Sequence, residues 1–441
     1  MAGRGLLRIM LVAVALFPGA AALAQRTESE LTEKPDKVFG SYYVYEAPEA
    51  ALPKPPRGYK PFYISHLGRH GARYALTHYD VVMAGLDTAK TLGLLTEAGL
   101  EFYSHYRDFY AEARFHKGEL TGKGAAQHEG IAGRMFKRFP SVFKGETSVV
   151  AVSTTVPRVV RSMEVFVSKL KSLDRSISVS SESSIEHQRY LDPVERKNPG
   201  AYPRKDVPEA VKGSNDRFVS RMDWKGFAGR LFTSPAEFEK HFDKFSFELC
   251  VYRFVQSLPC LDTDYSGFDS LFTKRQLRDL FYADNYRSYV TDGMCPQNNR
   301  LRPLVSYVLL DEIIRSAEED MVAGPQLRLR FSHDSALMPL LSLMDVNGMG
   351  YATANPDAVA DRWRLFDIPM GCSLQLVFCR SRRNPQILVM PLLNESPASL
   401  PFPSVEGPYY SWQDFKDYYE KIVDDARAAL GGWDVPRPES R

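Results

Sequence analysis

The chain has 441 residues and a formal net charge of +2 at neutral pH, with 56 lysines and arginines against 54 aspartates and glutamates. That balance excludes a chain held to nucleic acid or to a membrane surface by bulk charge, so any strong anion site has to be built locally. With 44% hydrophobic and 25% charged residues, it is a globular chain long enough to bury a large core.

The first 24 residues read as a secretory signal. Arg4 and Arg8 precede an apolar run over 9–17, and Ala22-Leu23-Ala24 supplies a small-residue cleavage site before Gln25. The run is shorter than the roughly 20 residues of a membrane span. Cleavage leaves about 417 residues of near-zero formal charge. The expected mature protein is exported, periplasmic or secreted, without membrane association.

Pro53 to Pro56 lead into the first of six apolar runs suited to buried strands: 62–64, 149–152, 177–179, 327–331, 374–378 and 387–393. Helical spacing falls between them, at Val82, Leu86, Ala89 and Leu92, then at Val160, Met163, Val167 and Leu170. From about 186 to 300 β-branched runs thin out and aromatic and charged residues dominate, as in "SPAEFEKHFDKFSFELCVYRFVQSL", which reads as helical. Leu304, Val308, Leu309 and Ile313 mark another helix before the run at 327. Ser411 and Asp414 have capping-box spacing ahead of a final amphipathic helix through Phe415, Tyr419 and Ile422. This pattern predicts an α/β core with a mostly parallel sheet flanked by helices, formed by 25–185 and 301–441. A mainly helical cap, 186–300, is inserted between its halves.

The chain has five cysteines, an odd number that leaves at least one thiol free or paired with another chain. Cys372 and Cys379 flank a strand and lie about 23 Å apart, too far to bond. Cys250–Cys260 is the pairing expected if export allows a disulfide.

Three polar clusters follow strands. "SHLGRHGARY" (65–74) carries Arg69, His70 and Arg73; Arg158 follows "SVVAVS"; His333-Asp334 follows "LRLRF". Carboxyl ends of parallel strands form the ligand crevice of open α/β sheets, so these clusters should converge around His70. The chemistry suits a phosphate monoester. Arginine forks neutralise phosphoryl oxygens bidentately, and Gly71 would let the backbone approach the ligand, with N–H donors from a following helix start. A neutral imidazole nitrogen can attack phosphorus, and a carboxylic acid can protonate the departing oxygen. Asp334 is the natural candidate for that acid. Arg161 competes with Arg158 for the third cation position.

"RHGAR" with a distal "HD" resembles the histidine acid phosphatases of branch 2, which include phytases and multiple inositol polyphosphate phosphatases. "GELTGKGAAQHEGIAGRMFKRF", "STTVPRVVRSMEVF", "HDSALMPLLSLM" and "VMPLLNE" extend the resemblance from about Pro61 to Glu395. It implies that His70 is the phosphorylated nucleophile and Asp334 the proton donor. Arg69, Arg73, Arg158 and His333 would bind phosphate. It also implies an α/β core with a helical cap, no cofactor or metal, and a small phosphomonoester substrate, phytate or a related inositol polyphosphate, for a monomer. Two positions depart from the family pattern: Ala75 replaces a frequent proline, and His333-Asp334-Ser335 is closer to the phytase and acid phosphatase form than to His-Ala-Glu. A broad-specificity acid phosphatase and an inactive phosphate- or phytate-binding protein stay open.

His66 and His70 have the spacing of a zinc-protease helix, but Leu67 stands where that motif needs glutamate, so His66 is expected to pack under the loop. His128 and His187 are expected at the surface or in the cap. Neither a P-loop nor a G-x-S-x-G elbow occurs. Arg189, Arg196, Lys197, Arg204 and Lys205 crowd one cap segment and would suit a substrate with several phosphates if they face the crevice.

Overall fold

The computed structural model describes residues 27–76, 78–194, 198, 200–262, 268 and 270–434. The expected signal segment, Arg196 and Lys197 lie outside the described residues. No helix among the described residues is long and apolar enough to cross a membrane.

Each of the six apolar runs lies wholly or largely within a strand: β1 (Tyr59–Arg69), β2 (Ser148–Ser153), β3 (Ser178–Ser183), β4 (Leu327–Ser332), β5 (Ser373–Ser381) and β6 (Leu388–Leu393). Two short strands, Ser396–Pro397 and Tyr410–Ser411, pair with β6. The order is β3-β2-β4-β1-β5-β6. The pairs β3–β2, β2–β4 and β4–β1 are parallel, whereas β5 is antiparallel to both of its neighbours. The short turn between β5 and β6 accounts for the antiparallel pairing of those two strands.

Strand periodicity sorts the two faces. Leu327, Leu329 and Phe331 of β4 join a core with the helices Gly122–Arg138 (α3) and Pro157–Leu173 (α4). The alternate residues Arg328 and Arg330 face the opposite layer, where Asp320 holds Arg328 and Ser65 accepts from fully buried Arg330. That second layer contains the helices Tyr307–Ala323, Asp334–Leu343 and Trp412–Ala429. Ser411 caps the last of them by accepting from the Asp414 N–H.

The cap differs from the expected boundaries. Its core joins Pro208–Val219, Trp224–Leu231, Lys244–Ser257 and Lys274–Asp292 with the helices Tyr79–Thr91 (α1) and Glu97–Ala113 (α2). Residues 79–113, assigned from sequence to the α/β core, thus pack in the helical unit. Gly85 against Phe247 and Gly99 against the Leu231 carbonyl mark where the two segments meet most closely. The "SPAEFEKHF…" stretch is helical but broken, with one short turn at Pro235–Phe238 before the helix at Lys244.

Two expectations are corrected. All five cysteines are free thiols. The expected pair is held apart: Cys250 Sγ sits 3.4 Å from His78 Nδ1 and Cys260 Sγ 3.3 Å from the Tyr42 carbonyl. His128 is buried, not superficial, because helical spacing on α3 turns it onto the sheet beside His66. The Phe331 ring lies 5.5 Å from His66 and 5.7 Å from His128, and neither imidazole has a hydrogen-bond partner among the described residues.

Burial lowers both imidazoles from 6.5 to about 3, with His128 and Arg330 adding to the shift on His66. Above pH 6.5 both rings are neutral whether folded or unfolded. Below it the unfolded rings take protons that the folded rings refuse, so stability is lost as pH falls from 6.5 toward 3. His128→Leu is expected to flatten this acid decline by up to about 1.4 kcal/mol per pH unit. Urea midpoints between pH 7 and 4 measure it, and parallel profiles would exclude the effect.

Candidate active site

Strands β2, β4 and β1 are adjacent and parallel, so their carboxyl ends share one sheet edge. Arg69 registers with Ser332, and Ser153 with Phe331. The His70 N–H donates to the Ser332 carbonyl at 3.0 Å, and the Thr154 N–H to the Phe331 carbonyl at 3.3 Å. The three clusters of Arg69–Arg73, Arg158 and His333-Asp334 therefore leave the sheet side by side.

The His70 ring lies edge-on to His333, with centroids 5.6 Å apart. His70 Nδ1 is 2.9 Å from the Gly71 carbonyl oxygen. Only a protonated Nδ1 can bond to a carbonyl, so Nε2 keeps the lone pair. Fully buried Arg69 donates through Nη1 to the carbonyls of Ser41 and Ile368, each at 2.7 Å, and through Nη2 to Asp334 Oδ2 at 2.7 Å. Arg73 donates to the Tyr74 carbonyl and stacks over the Tyr42 ring at 5.3 Å. Arg158 sits in the first turn of α4, whereas Arg161 is exposed and paired with Glu164. The Nε atoms of Arg69, Arg73 and Arg158 are all buried without a hydrogen-bond partner among the described residues. Three desolvated guanidinium donors around one imidazole constitute an anion site.

Electrostatics agree with that geometry. Burial depresses the His70 pKa most, and Arg158, Arg73, Arg69 and His333 add to the fall in that order, so the ring is neutral well into the acid range. Burial and Arg158 push His333 down to about 3. Arg158 itself is lowered to about 10 by burial and by Arg73. Burial pushes Asp334 up, but Arg69, Arg73 and His333 together outweigh it and hold the carboxyl below its usual range. With both histidines neutral, three arginines against one carboxylate leave two positive charges, the match for a phosphomonoester dianion.

The supporting contacts were not singled out from sequence. Ser162 Oγ accepts from the Gly71 N–H and donates to the Arg158 carbonyl, tying the loop to α4. Gln127 accepts from the Ala72 N–H and donates to the Met370 carbonyl. Thr154 Oγ1 lies 3.2 Å from His333 Nε2. Gly71 serves a different purpose from the expected one: a Cβ there would fall 2.4 Å from the Gly124 carbonyl oxygen, so the glycine permits loop and α3 to touch. The helix following the loop begins only at Tyr79; the helix starts at the site are those of α4, which carries Arg158 in its first turn, and of Asp334–Leu343, with His333 as N-cap. His66, on β1, packs between Phe166 and Phe331.

A cavity of about 250 Å³ opens beside Asp334, and its cationic lining is Arg253, Arg287 and Arg302. Neither Arg189, Arg204 nor Lys205 lines it; Arg204 pairs with Asp206 at 2.6 Å. The sequence signal for this lining was available in the cap helix Lys274–Asp292. Asp284, Arg287, Ser288, Thr291 and Asp292 recur at the spacing of one helix face, where a core stripe would be apolar.

Comparison with known proteins bears on the fold that carries these residues. The multiple inositol polyphosphate phosphatase of Bifidobacterium longum, solved with inositol hexasulfate, superposes with a TM-score of 0.73 at 17% identity, covering 87% of this chain and 97% of its own. The phytase of D. castellii gives 0.65 at 14% identity, covering 91% and 88%. A Klebsiella phytase gives 0.52 at 13%, covering 87% and 99%. At these identities the likeness establishes the fold. No curated protein sequence matches the chain significantly. The family model of the histidine phosphatase superfamily (branch 2) matches residues 64–364, which takes in Arg69, His70, Arg73, Arg158, His333 and Asp334, and the chain belongs to that superfamily.

Proposed function

We propose that this protein is an exported phosphomonoesterase that hydrolyses inositol polyphosphates through a phosphohistidine intermediate. The observation that carries the reading is the set of three arginines around His70, Arg69 and Arg73 buried and Arg158 half-buried, with His70 Nδ1 committed to the Gly71 carbonyl and Nε2 free to attack. In the first step Nε2 bonds to phosphorus and the bond from phosphorus to the leaving oxygen breaks, with Asp334 supplying the proton that makes the product an alcohol. The positive charge formed on the imidazole is held at Nδ1–H by the Gly71 carbonyl. In the second step Asp334 takes a proton from water as the water oxygen bonds to phosphorus and the Nε2–phosphorus bond breaks, its electron pair returning to Nε2, which releases phosphate and restores neutral His70.

Asp334 has to be protonated for the first step, although Arg69 holds it ionised in the free protein. A bound phosphate dianion draws off the arginine charge, so the pKa of Asp334 rises on binding. The inositol polyphosphate class is supported by the likeness to proteins named as phytases and multiple inositol polyphosphate phosphatases. The proposed acting unit is a monomer.

The test compares kcat/KM for myo-inositol hexakisphosphate and p-nitrophenyl phosphate. The expected ratio favours the hexakisphosphate by about tenfold or more, a difference of about 1.4 kcal/mol in transition-state binding. A ratio at or below one would indicate a broad-specificity acid phosphatase, and turnover of neither substrate a silent binding protein.

A further inference from the structure

We infer that Thr154 is a positioning residue that sets the tautomer of His333. Its hydroxyl donates to His333 Nε2 and so keeps the ring's proton on Nδ1, from which it is offered to a phosphoryl oxygen. The inference rests on the proposed hydrolase reading and adds to it the group that turns one of two neighbouring histidines into a donor.

The geometry starts from two adjacent strand ends. Ser153 closes β2 in register with Phe331 of β4, and the next N–H, that of Thr154, donates to the Phe331 carbonyl at 3.3 Å. Ser153 Oγ in turn donates to the Thr154 carbonyl at 2.9 Å. Two residues beyond Phe331, His333 stands as N-cap of the helix Asp334–Leu343. The two side chains meet across the parallel pair, with Thr154 Oγ1 3.2 Å from His333 Nε2. Thr154 is fully buried and His333 nearly so. A β-branched side chain on a backbone fixed in this way has few rotamers to escape into.

Which atom of the pair donates is decided by the surroundings. Among the described residues the Thr154 hydroxyl has no acceptor other than His333 Nε2. If Nε2 were protonated and donated to Oγ1, the hydroxyl hydrogen would be left buried and unpaired, an unfavourable arrangement. Donation from Oγ1 to a bare Nε2 satisfies both atoms. The ring is neutral, because burial and Arg158 lower its pKa to about 3. A neutral imidazole carries one proton, which then lies on Nδ1. Nδ1 has no hydrogen-bond partner among the described residues, so its N–H is left for a ligand.

The two rings, edge-on with centroids 5.6 Å apart, thereby take opposite parts. His70 gives its proton to the Gly71 carbonyl and presents a lone pair at Nε2 to phosphorus. His333 receives the Thr154 proton at Nε2 and presents an N–H to a phosphoryl oxygen. Without the hydroxyl, His333 is free to adopt the Nε2–H form and to aim a lone pair at an anionic oxygen, which repels it.

The experiment records ¹⁵N spectra of the histidine-labelled wild type at neutral pH, with His333 assigned by its loss in His333→Gln, and repeats them in Thr154→Val and Thr154→Ser. Titration calorimetry gives the Kd for inorganic phosphate in the same proteins. Wild-type His333 is expected to show a protonated Nδ1 and a bare Nε2. Thr154→Val should populate the Nε2–H form and raise the phosphate Kd about tenfold. It should lower kcat/KM by a similar factor for myo-inositol hexakisphosphate and p-nitrophenyl phosphate alike, since both present the same phosphoryl group. Thr154→Ser keeps the hydroxyl and should hold the wild-type tautomer, with a Kd within about threefold of wild type. A protonated Nε2 in the wild type, a measurement that needs no variant to fold, would overturn the inference and leave the hydrolase reading in place. So would an unchanged tautomer in Thr154→Val, or a serine variant as weak as the valine one. Turnover of neither substrate by the wild type would defeat the hydrolase reading, whereas the spectrum would still decide the tautomer.

Discussion

Replacing His70 with alanine lowers kcat for phosphate release by at least about 10⁴-fold and leaves the chain folded. The loss is large because the imidazole Nε2 forms the covalent bond of the first step, and no other nucleophilic side chain occupies its position between Arg69, Arg73, Arg158 and His333. The fold survives because the ring makes one hydrogen bond, to the Gly71 carbonyl, while the backbone bonds from His70 to Ser332 and from Gly371 to His70 do not need the side chain. Steady-state phosphate release with circular dichroism of the same sample checks both parts. Residual activity within about a hundredfold of wild type would contradict the assignment.

The second large effect concerns Asp334. Asp334→Asn is expected to slow hydrolysis of an alkyl phosphate by about 10²- to 10³-fold, but that of p-nitrophenyl phosphate by less than about tenfold. The amide cannot donate the proton that an alkoxide requires, whereas p-nitrophenolate leaves without one. Arg69 remains anchored by the Ser41 and Ile368 carbonyls when its ion pair is lost, so the phosphate cradle persists. The pH dependence follows with a definite sign. The acid form of Asp334 is the active one, so kcat for the alkyl phosphate falls as pH rises through the pKa of the bound state. The asparagine variant should lack that alkaline limb. Equal losses on the two substrates would remove Asp334 from the role of general acid.

Much of this architecture was legible in the sequence, for identifiable reasons. The strand runs are rich in apolar or alternating apolar residues, and the polar clusters directly follow β1, β2 and β4. Parallel pairing of those three strands is what brings Arg69, Arg158 and His333 to one edge. The antiparallel setting of β5 was not legible, because apolar content carries no strand direction. The cap boundary was misplaced because helical spacing in 79–113 says which face is buried and not which core receives it. His128 shows the same limit: a histidine among apolar neighbours on α3 is buried by helix phase, which its residue type alone does not reveal.

The cationic lining was read from clustering along the chain, which drew attention to Arg189, Arg204 and Lys205. The residues that line the cavity come instead from Arg253, Arg287 and Arg302, brought together from three separate helices. Proximity in sequence was the weaker guide. The polar stripe of the helix Lys274–Asp292 was the better one, since it places charges where packing would otherwise demand apolar side chains.

The most direct measurement of the central claim is transfer of labelled phosphate from substrate to enzyme, quenched in alkali, where phosphohistidine survives. The account predicts label on the peptide containing His70, lost on acid treatment and absent from His70→Ala. Substrate turnover with no label on that peptide, or label that persists in the alanine variant, would contradict it.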